Sequence, residues 1–306
     1  MSEQRVTFNY TDARVERLDK VLVSYLPEYS RTRLQSLIKN GAVLIDDQVI
    51  NKTGYLVEPG TRLYIQLPAA SLDEMTPEPI PLDVIFESQE MLIINKPAGM
   101  VIHPSPGHTS ATLAHAALAH APELEGVGEI QRPGIVHRLD KETSGLILIA
   151  KNVQTHRWLQ EQFRQRRVNK VYLALVDGHP PTPEGKIDAP ITRDLNQRKK
   201  MAVVSAGRGR DAISDYYTLE TFAEHTLLEV HPLTGRTHQI RLHLAFLKCP
   251  VVGDKIYGRR KPSLTVSRHF LHAAKISLLL PGDTEPSFFE APLPSDLAGI
   301  LESLRR

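Results

Sequence analysis

The chain has 306 residues, 41% of them apolar and 24% charged, so it reads as a globular protein with room for one large domain and a small one. That balance excludes disordered and fibrous classes, the single cysteine, Cys249, excludes an internal disulfide, and no apolar run approaches the ~18 residues of a membrane span. The start, Met1-Ser2-Glu3-Gln4-Arg5, lacks the apolar stretch of a secretory signal, and a cytoplasmic protein is expected.

A net charge of +2 conceals an uneven distribution. Arg132 to Arg210 carries 16 Lys and Arg against 7 Asp and Glu, which leaves the remainder at −7. Cations gathered in one part of the chain can neutralise phosphates while other faces stay uncommitted. The competing reading is a solvated charged face.

In chain order, Arg14 to Leu67 reads as a compact unit. Val15, Leu18, Val21, Leu22 and Leu26 fall at helical spacing, Pro27 closes that helix, Ser30 caps a second one, and Gly41 follows its end. The second helix carries Arg31, Arg33 and Lys39 opposite Leu34, Leu37 and Ile38, and short strands are expected at 43–45 and 63–67. Residues 76–83 hold Pro77, Pro79 and Pro81, which disfavour helix, and read as an extended linker. Strands follow at 84–86 and 91–95, then a short helix over 112–118 and a loop over 123–133.

Ile135-Val136 and the unbroken run Leu146 to Ala150 then enclose a polar stretch, His137 to Gly145. The apolar run reads as a strand buried on both faces, so the polar stretch is a loop held between buried walls, with Gly145 free to take positive φ. Residue types alone leave Asp140 open: either a turn carboxylate paired with Arg138 or Lys141, or a reacting group.

Beyond it, 155–166 reads as an amphipathic helix with Trp158, Leu159 and Phe163 inward. A strand over 170–176 sends Lys170, Tyr172 and Ala174 to one face. Residues 177–211 look loop-rich and basic, and Arg198-Lys199-Lys200 with Arg208-Gly209-Arg210 are expected to contact RNA. A strand over 227–230 precedes a helix capped by Thr237, with Ile240 and Leu244 on one face and Arg241 elsewhere. His238 and His243 stand five apart, off one helix face and without a Cys cluster, so no metal is expected. A turn over 251–257, strands within 270–280 and a helix over 297–304 close the chain.

The stretch His137-Arg138-Leu139-Asp140-Lys141-Glu142-Thr143-Ser144-Gly145 resembles the catalytic-Asp motif of the RNA pseudouridine synthases of the RluA and RluD type. Asn95 to Pro104, Lys170-Val171-Tyr172-Leu173-Ala174 and His231 to Leu244 resemble further motifs of that family in the same order. Arg14 to Leu67 resembles an S4-like RNA-binding domain, with Asp46-Asp47 where that family usually turns through Asn-Gly.

The resemblance implies an α+β protein: an S4-like domain over 1–75, a proline-rich linker over 76–83, and a catalytic domain over 84–306 with a mainly antiparallel sheet flanked by helices. It implies isomerisation of uridine to pseudouridine in structured RNA, either 23S ribosomal RNA or a large-subunit precursor particle. No cofactor and no membrane are implied, and a monomer is expected. Asp140, Tyr172 and Arg241 become the catalytic residues; Arg138, Lys96, Lys170, Leu244, Arg31 and Arg33 become the substrate-binding ones. A transfer-RNA substrate, a non-enzymatic ribosome-associated protein and a glycosidase pairing Asp140 with Glu142 stand as rivals.

Overall fold

The computed structural model describes residues 4–26, 29, 31–67, 75–105, 107–194, 197 and 200–306, the side chains of 4, 32, 33 and 67 aside. The expected parts played by Pro27, Ser30, the Arg33 side chain, Arg198 and Lys199 lie outside these residues. The chain divides into two compact units, Met1–Glu74 and Met75–Arg306.

The first unit is a four-stranded antiparallel sheet with two helices. Its elements are β1 (Gln4–Asn9), α1 (Leu18–Tyr25), α2 (Arg31–Lys39), β2 (Val43–Ile45), β3 (Gln48–Val49) and β4 (Arg62–Leu67), in the sheet order β1-β4-β2-β3. Leu18, Leu22, Leu34 and Ile38 of the helices bury against Val43, Leu63 and Ile65 of the sheet. Gly41 ends α2 at φ 75, with its N–H on the Ile38 carbonyl and the Ala42 N–H on Leu37, the Schellman arrangement that favours glycine. Asp46 and Asp47 stand at φ 46 and 66, so two aspartates take the left-handed pair of angles that Asn-Gly usually supplies to a tight hairpin. Strand β1 precedes the stretch whose elements the sequence announced, and Phe8 on it stacks on Tyr25 with ring centroids 4.2 Å apart.

The second unit holds β5 (Val84–Glu87), β6 (Met91–Lys96), α3 (Leu113–His120), β7 (Ser144–Ala150), α4 (Val153–Arg164), β8 (Asn169–Asp177), β9 (Glu184–Asp188), β10 (Ile191–Arg193), β11 (Met201–Val203), β12 (Ile213–Thr221), β13 (His225–Pro232), α5 (Gln239–Phe246), β14 (Leu271–Leu279), β15 (Pro286–Glu290) and α6 (Ser295–Arg305). Nine strands make one sheet in the order β9-β12-β13-β8-β14-β7-β6-β5, with β15 added on β14, and β10 pairs with β11 as a separate ribbon. Neighbours in the large sheet run antiparallel except β7 and β14, which touch in parallel at Ser144–His272 and Gly145–Ala273.

Every residue of β7 is buried because the sheet is covered on both faces. Ile147 and Ile149 point with Leu92 and Ile94 toward α3, whereas Leu146 and Leu148 point with Met91 and Ile93 toward Leu159 of α4. The side chain of Asn152 caps α4 by accepting the Thr155 N–H at 2.8 Å. Residues 177–211, which looked loop-rich, contain three short strands, too brief for their period-2 pattern to stand out.

The proline-rich stretch over 76–83 belongs to the second unit instead of forming a free linker. Met75 and Leu82 pack on its core, the Glu78 N–H bonds to the His115 carbonyl, and the Glu78 carboxylate accepts the Ala111 N–H at 3.0 Å. Proline excludes helix, and an extended chain can still lie along a surface and bury alternate side chains.

Candidate active site

The polar loop sits where the middle of the large sheet opens into a cavity of about 490 Å³, whose lining includes Arg138, Asp140, Lys170, Tyr172, His238 and Arg241. Leu139 is buried, which turns its two neighbours the other way: Arg138 outward and Asp140 to the cavity, with 17% of its side chain exposed. The Thr143 N–H closes the turn on the Asp140 carbonyl at 3.1 Å.

From behind, the loop is fastened by buried polar groups. Lys96 donates from Nζ to the carbonyls of Pro97, Met100 and Lys141, so it ties the Asn95–Pro104 turn to the aspartate loop. Thr143 and Ser144 pair through their hydroxyls with His269 Nε2 at 2.8 Å and His272 Nδ1 at 2.9 Å. Arg268 donates to the Glu142 carbonyl and forms an ion pair with Asp296 at 2.7 Å. His137 Nε2 accepts the Leu148 N–H at 2.8 Å, and burial, with Lys170 nearby, pushes its imidazole down to about 3. Gly145 has φ 111, and a Cβ there would stand 2.2 Å from the Ala273 carbonyl oxygen, so the parallel contact of β7 with β14 requires glycine.

Asp140 faces Arg241, which comes from α5. Nη1 of Arg241 donates to Asp140 Oδ2 at 2.9 Å, while Nε and Nη2 donate to the two carboxylate oxygens of Asp254 at 2.7 and 2.8 Å. Asp254 is completely buried and also accepts the N–H groups of Ile256 and Tyr257. Burial opposes the Arg241 charge, but hydrogen bonds and charge from Asp254, with Asp140 added, outweigh it and hold the guanidinium above its ordinary value. Tyr172 lies buried on β8, and burial, reinforced by the charge of Asp140, raises its phenol well above the usual range. Tyr172 is therefore neutral at any physiological pH. Lys170 shares its strand face, and burial lowers its ammonium to about 8. Among the described residues the Arg138 side chain makes no hydrogen bond or ion pair.

Residues 90–246 match the family model described as RNA pseudouridylate synthase, and residues 16–63 match the S4 domain. The chain belongs to the RNA pseudouridylate synthase family. An uncharacterized RNA pseudouridine synthase of Chloroflexus aurantiacus is 47% identical over 99% of this chain and 95% of its own length. The ribosomal large subunit pseudouridine synthase D of Zymomonas mobilis is 39% identical over 94% of this chain and 93% of its own. The structure of human RNA pseudouridylate synthase domain containing 4 superposes with a TM-score of 0.59 at 28% identity, covering 72% of this chain and 92% of that one. The α+β architecture expected from the sequence is the one observed, and it superposes on that solved structure.

In this synthase five of the expected site residues, Asp140, Tyr172, Arg241, Arg138 and Lys170, line one cavity. Lys96 and Leu244 do not. Lys96 is fully buried and its ammonium is consumed by three carbonyls; Leu244 is fully buried in the core beneath α5. Arg31 lies in the first unit, where it binds Asp19 at 2.7 Å with half its side chain still exposed. Glu142 is not among the cavity-lining residues, so the paired-carboxylate arrangement of a glycosidase is not formed. Thr237 does not cap α5; the cap position is His238, and Gln239 Oε1 instead gathers the Arg236 N–H and the Thr234 hydroxyl.

Asp254 does not stand out in the sequence. Its signal is faint: Gly253-Asp254 followed by N–H groups two and three residues on makes an Asx turn, a pattern found on many surfaces. By sequence His238 stands out only as half of a possible metal-binding pair. Its partner His243 is buried elsewhere, between the Ser214 hydroxyl and the Ala189 carbonyl.

Proposed function

We propose that this synthase isomerises uridine in large-subunit ribosomal RNA, with Asp140 as the reacting carboxylate, Arg241 as its electrostatic partner, Tyr172 against the uracil and Arg138 in the space that the uridine vacates. The observation that carries the reading is the chain Asp140–Arg241–Asp254: a buried cation fixed on one side by a sealed carboxylate and presenting, on the other, a carboxylate that faces the cavity. The reaction breaks the bond between uracil N1 and the ribose C1′, joins C1′ to C5, and moves the C5 proton so that N1 ends protonated. It needs a negative charge or nucleophile at the sugar or ring, and no redox partner or phosphate donor. Arg241 places its positive charge 2.9 Å from the Asp140 carboxylate, which offsets part of the cost of seating that carboxylate in a partly desolvated cavity. Tyr172, held neutral in the resting cavity, offers a ring for stacking and a hydroxyl placed to assist the removal of the carbon 5 proton.

The target uridine must leave its stack, at a cost on the order of a few kcal/mol. Arg138, exposed and unpaired among the described residues on the aspartate loop, has a planar guanidinium suited to stack on the bases left behind. Relatives named ribosomal large subunit pseudouridine synthase D, 39–40% identical over most of the chain, support the choice of substrate, and the S4 domain supplies a second RNA contact.

Tritium release from RNA labelled at uracil carbon 5 tests the chemistry. Wild type should release tritium and Asp140→Asn should release none while binding RNA as before; turnover by the variant removes Asp140 from the reaction. Carbodiimide mapping of ribosomal RNA from a deletion strain tests the substrate, with loss of a large-subunit pseudouridine expected.

A further inference from the structure

His238 lines the cavity without a part in the proposed chemistry, and its conformation is unusual. It stands at the start of α5 with φ 57 and ψ 17. A left-handed backbone is uncommon for a residue other than glycine, and such strained angles gather at functional sites. No side-chain cap bond accompanies it.

The imidazole is held by a chain of hydrogen bonds that fixes its tautomer. The Met201 N–H donates to Tyr257 Oη at 2.8 Å, and Tyr257 Oη is 3.0 Å from His238 Nδ1. Burial keeps the Tyr257 phenol protonated. Having accepted from Met201, its hydroxyl has one hydrogen to place, and Nδ1 is its acceptor among the described residues. Burial likewise lowers His238 and keeps it neutral against the attraction of Asp140 and Asp254, with Arg241 and Arg138 adding to the depression. With the Tyr257 hydroxyl donating to Nδ1, the one ring proton is on Nε2. That nitrogen stands 3.9 Å from Asp140 Oδ1, too far for a hydrogen bond, so among the described residues the N–H has no acceptor beside the carboxylate.

We infer that His238 is a positioning residue whose Nε2–H donates to an oxygen of the reacting nucleotide, a uracil carbonyl or a ribose hydroxyl, and holds that nucleotide against Asp140. Tyr257 acts through it by keeping Nδ1 unprotonated. The inference rests on the reading that Asp140 is the reacting carboxylate. It adds a residue that senses an acceptor, which an arginine clamp on the carboxylate does not do.

Nitrogen chemical shifts of the His238 ring in the full chain read the tautomer without any need for turnover. Nε2 should carry the proton in wild type, and Tyr257→Phe should let the ring redistribute it; a protonated Nδ1 in wild type overturns the inference. Single-turnover rates on a stem-loop RNA form the second arm. His238→Ala should slow conversion at least about tenfold with RNA affinity within about twofold, and Tyr257→Phe should do the same in smaller degree. Unchanged rates, or a loss confined to affinity, overturn it. An RNA with 2′-deoxyuridine at the target assigns the acceptor: the His238→Ala penalty disappears if the partner is the 2′-hydroxyl and persists if it is a uracil carbonyl. Asp140→Asn, measured alongside, separates the two ideas, since turnover by that variant would remove the Asp140 reading while the ring shifts still report on His238.

Discussion

Each unit contains a buried cluster of arginine and aspartate, and the two are built in opposite senses. In the first unit the carboxylate is sealed: Asp19 is fully buried and takes hydrogen bonds from Arg17, Arg31 and Gln35, while Arg17 and Arg31 keep 47% and 52% of their side chains exposed. Burial would raise the Asp19 carboxyl, but those donors hold it far below the usual range. In the second unit the cation is sealed. Arg241 is 5% exposed and Asp254 not at all, and the member that reaches the cavity is Asp140 at 17%. The exposed member of each cluster indicates what it meets. Arginines held in place by an inner aspartate suit phosphate oxygens, whereas a carboxylate held by an inner arginine suits a reacting carbon or proton.

Exchanging the charge of the inner and outer aspartates should separate the two clusters most sharply. Asp140→Asn is expected to abolish product with folding and RNA affinity intact. Asp19→Asn is expected to lower the melting temperature of the first unit and weaken RNA binding, with the rate at saturating RNA retained. Loss of the saturating rate in Asp19→Asn would mean the clusters are not independent.

Asp254→Ala removes the inner anchor and leaves Arg241 buried beside one carboxylate. Breaking a buried pair from one side costs about 3 to 5 kcal/mol, and denaturant unfolding should read a loss of that size. Turnover should fall with little change in RNA affinity, because Arg241 no longer fixes Asp140.

Arg138→Ala is expected to slow reaction on a structured stem-loop much more than on an RNA whose target uridine is already extruded. Equal losses on both substrates would give Arg138 a structural part instead.

Tyr172→Ala should weaken binding of the flipped nucleotide by roughly 1 to 3 kcal/mol, the usual worth of a base stacked on an aromatic ring. Tyr172→Phe keeps the ring and should bind as wild type does; weaker binding by the Phe variant would reject stacking, and any rate it loses at saturation measures the hydroxyl.

The smallest effect concerns Lys170. Its ammonium is depressed from 10.5 to about 8, so it is charged at pH 7 and neutral above that pKa. RNA affinity should decline by less than about tenfold as pH rises from 7 to 9, the share of a single cation, and Lys170→Met should flatten the decline. Stability moves the other way: between about 8 and 10.5 the unfolded chain holds a proton on Lys170 that the native chain has lost, so the fold gains stability as pH rises through that window.

Local pattern was enough for the elements whose cause is local. The all-apolar run of β7, the amphipathic spacing of α4, and the Gly41 and Gly145 backbones follow from burial period and from which residue tolerates positive φ, and they were legible in the chain alone. The cavity-lining set Asp140, Tyr172, Arg241, Arg138 and Lys170 was legible because it lies in ordered stretches with a family likeness. What the linear order could not decide is which side of a wall a polar residue occupies. Lys96 and Lys170 are both lysines on apolar strands, yet one is locked onto three carbonyls behind the aspartate loop and the other lines the cavity. Asp254 stands 114 residues from Asp140 in the chain, and no local pattern links them; they meet through one guanidinium only because α5 and the turn after it pack beside the loop. The partner of His238 Nδ1 is a tyrosine whose hydroxyl accepts a backbone N–H from a third segment, so it too belongs to the tertiary structure. Apolar periodicity and tolerance of positive φ are properties of a residue and its neighbours in sequence, whereas burial of a polar group and its hydrogen-bond partner belong to whatever the folded chain brings together.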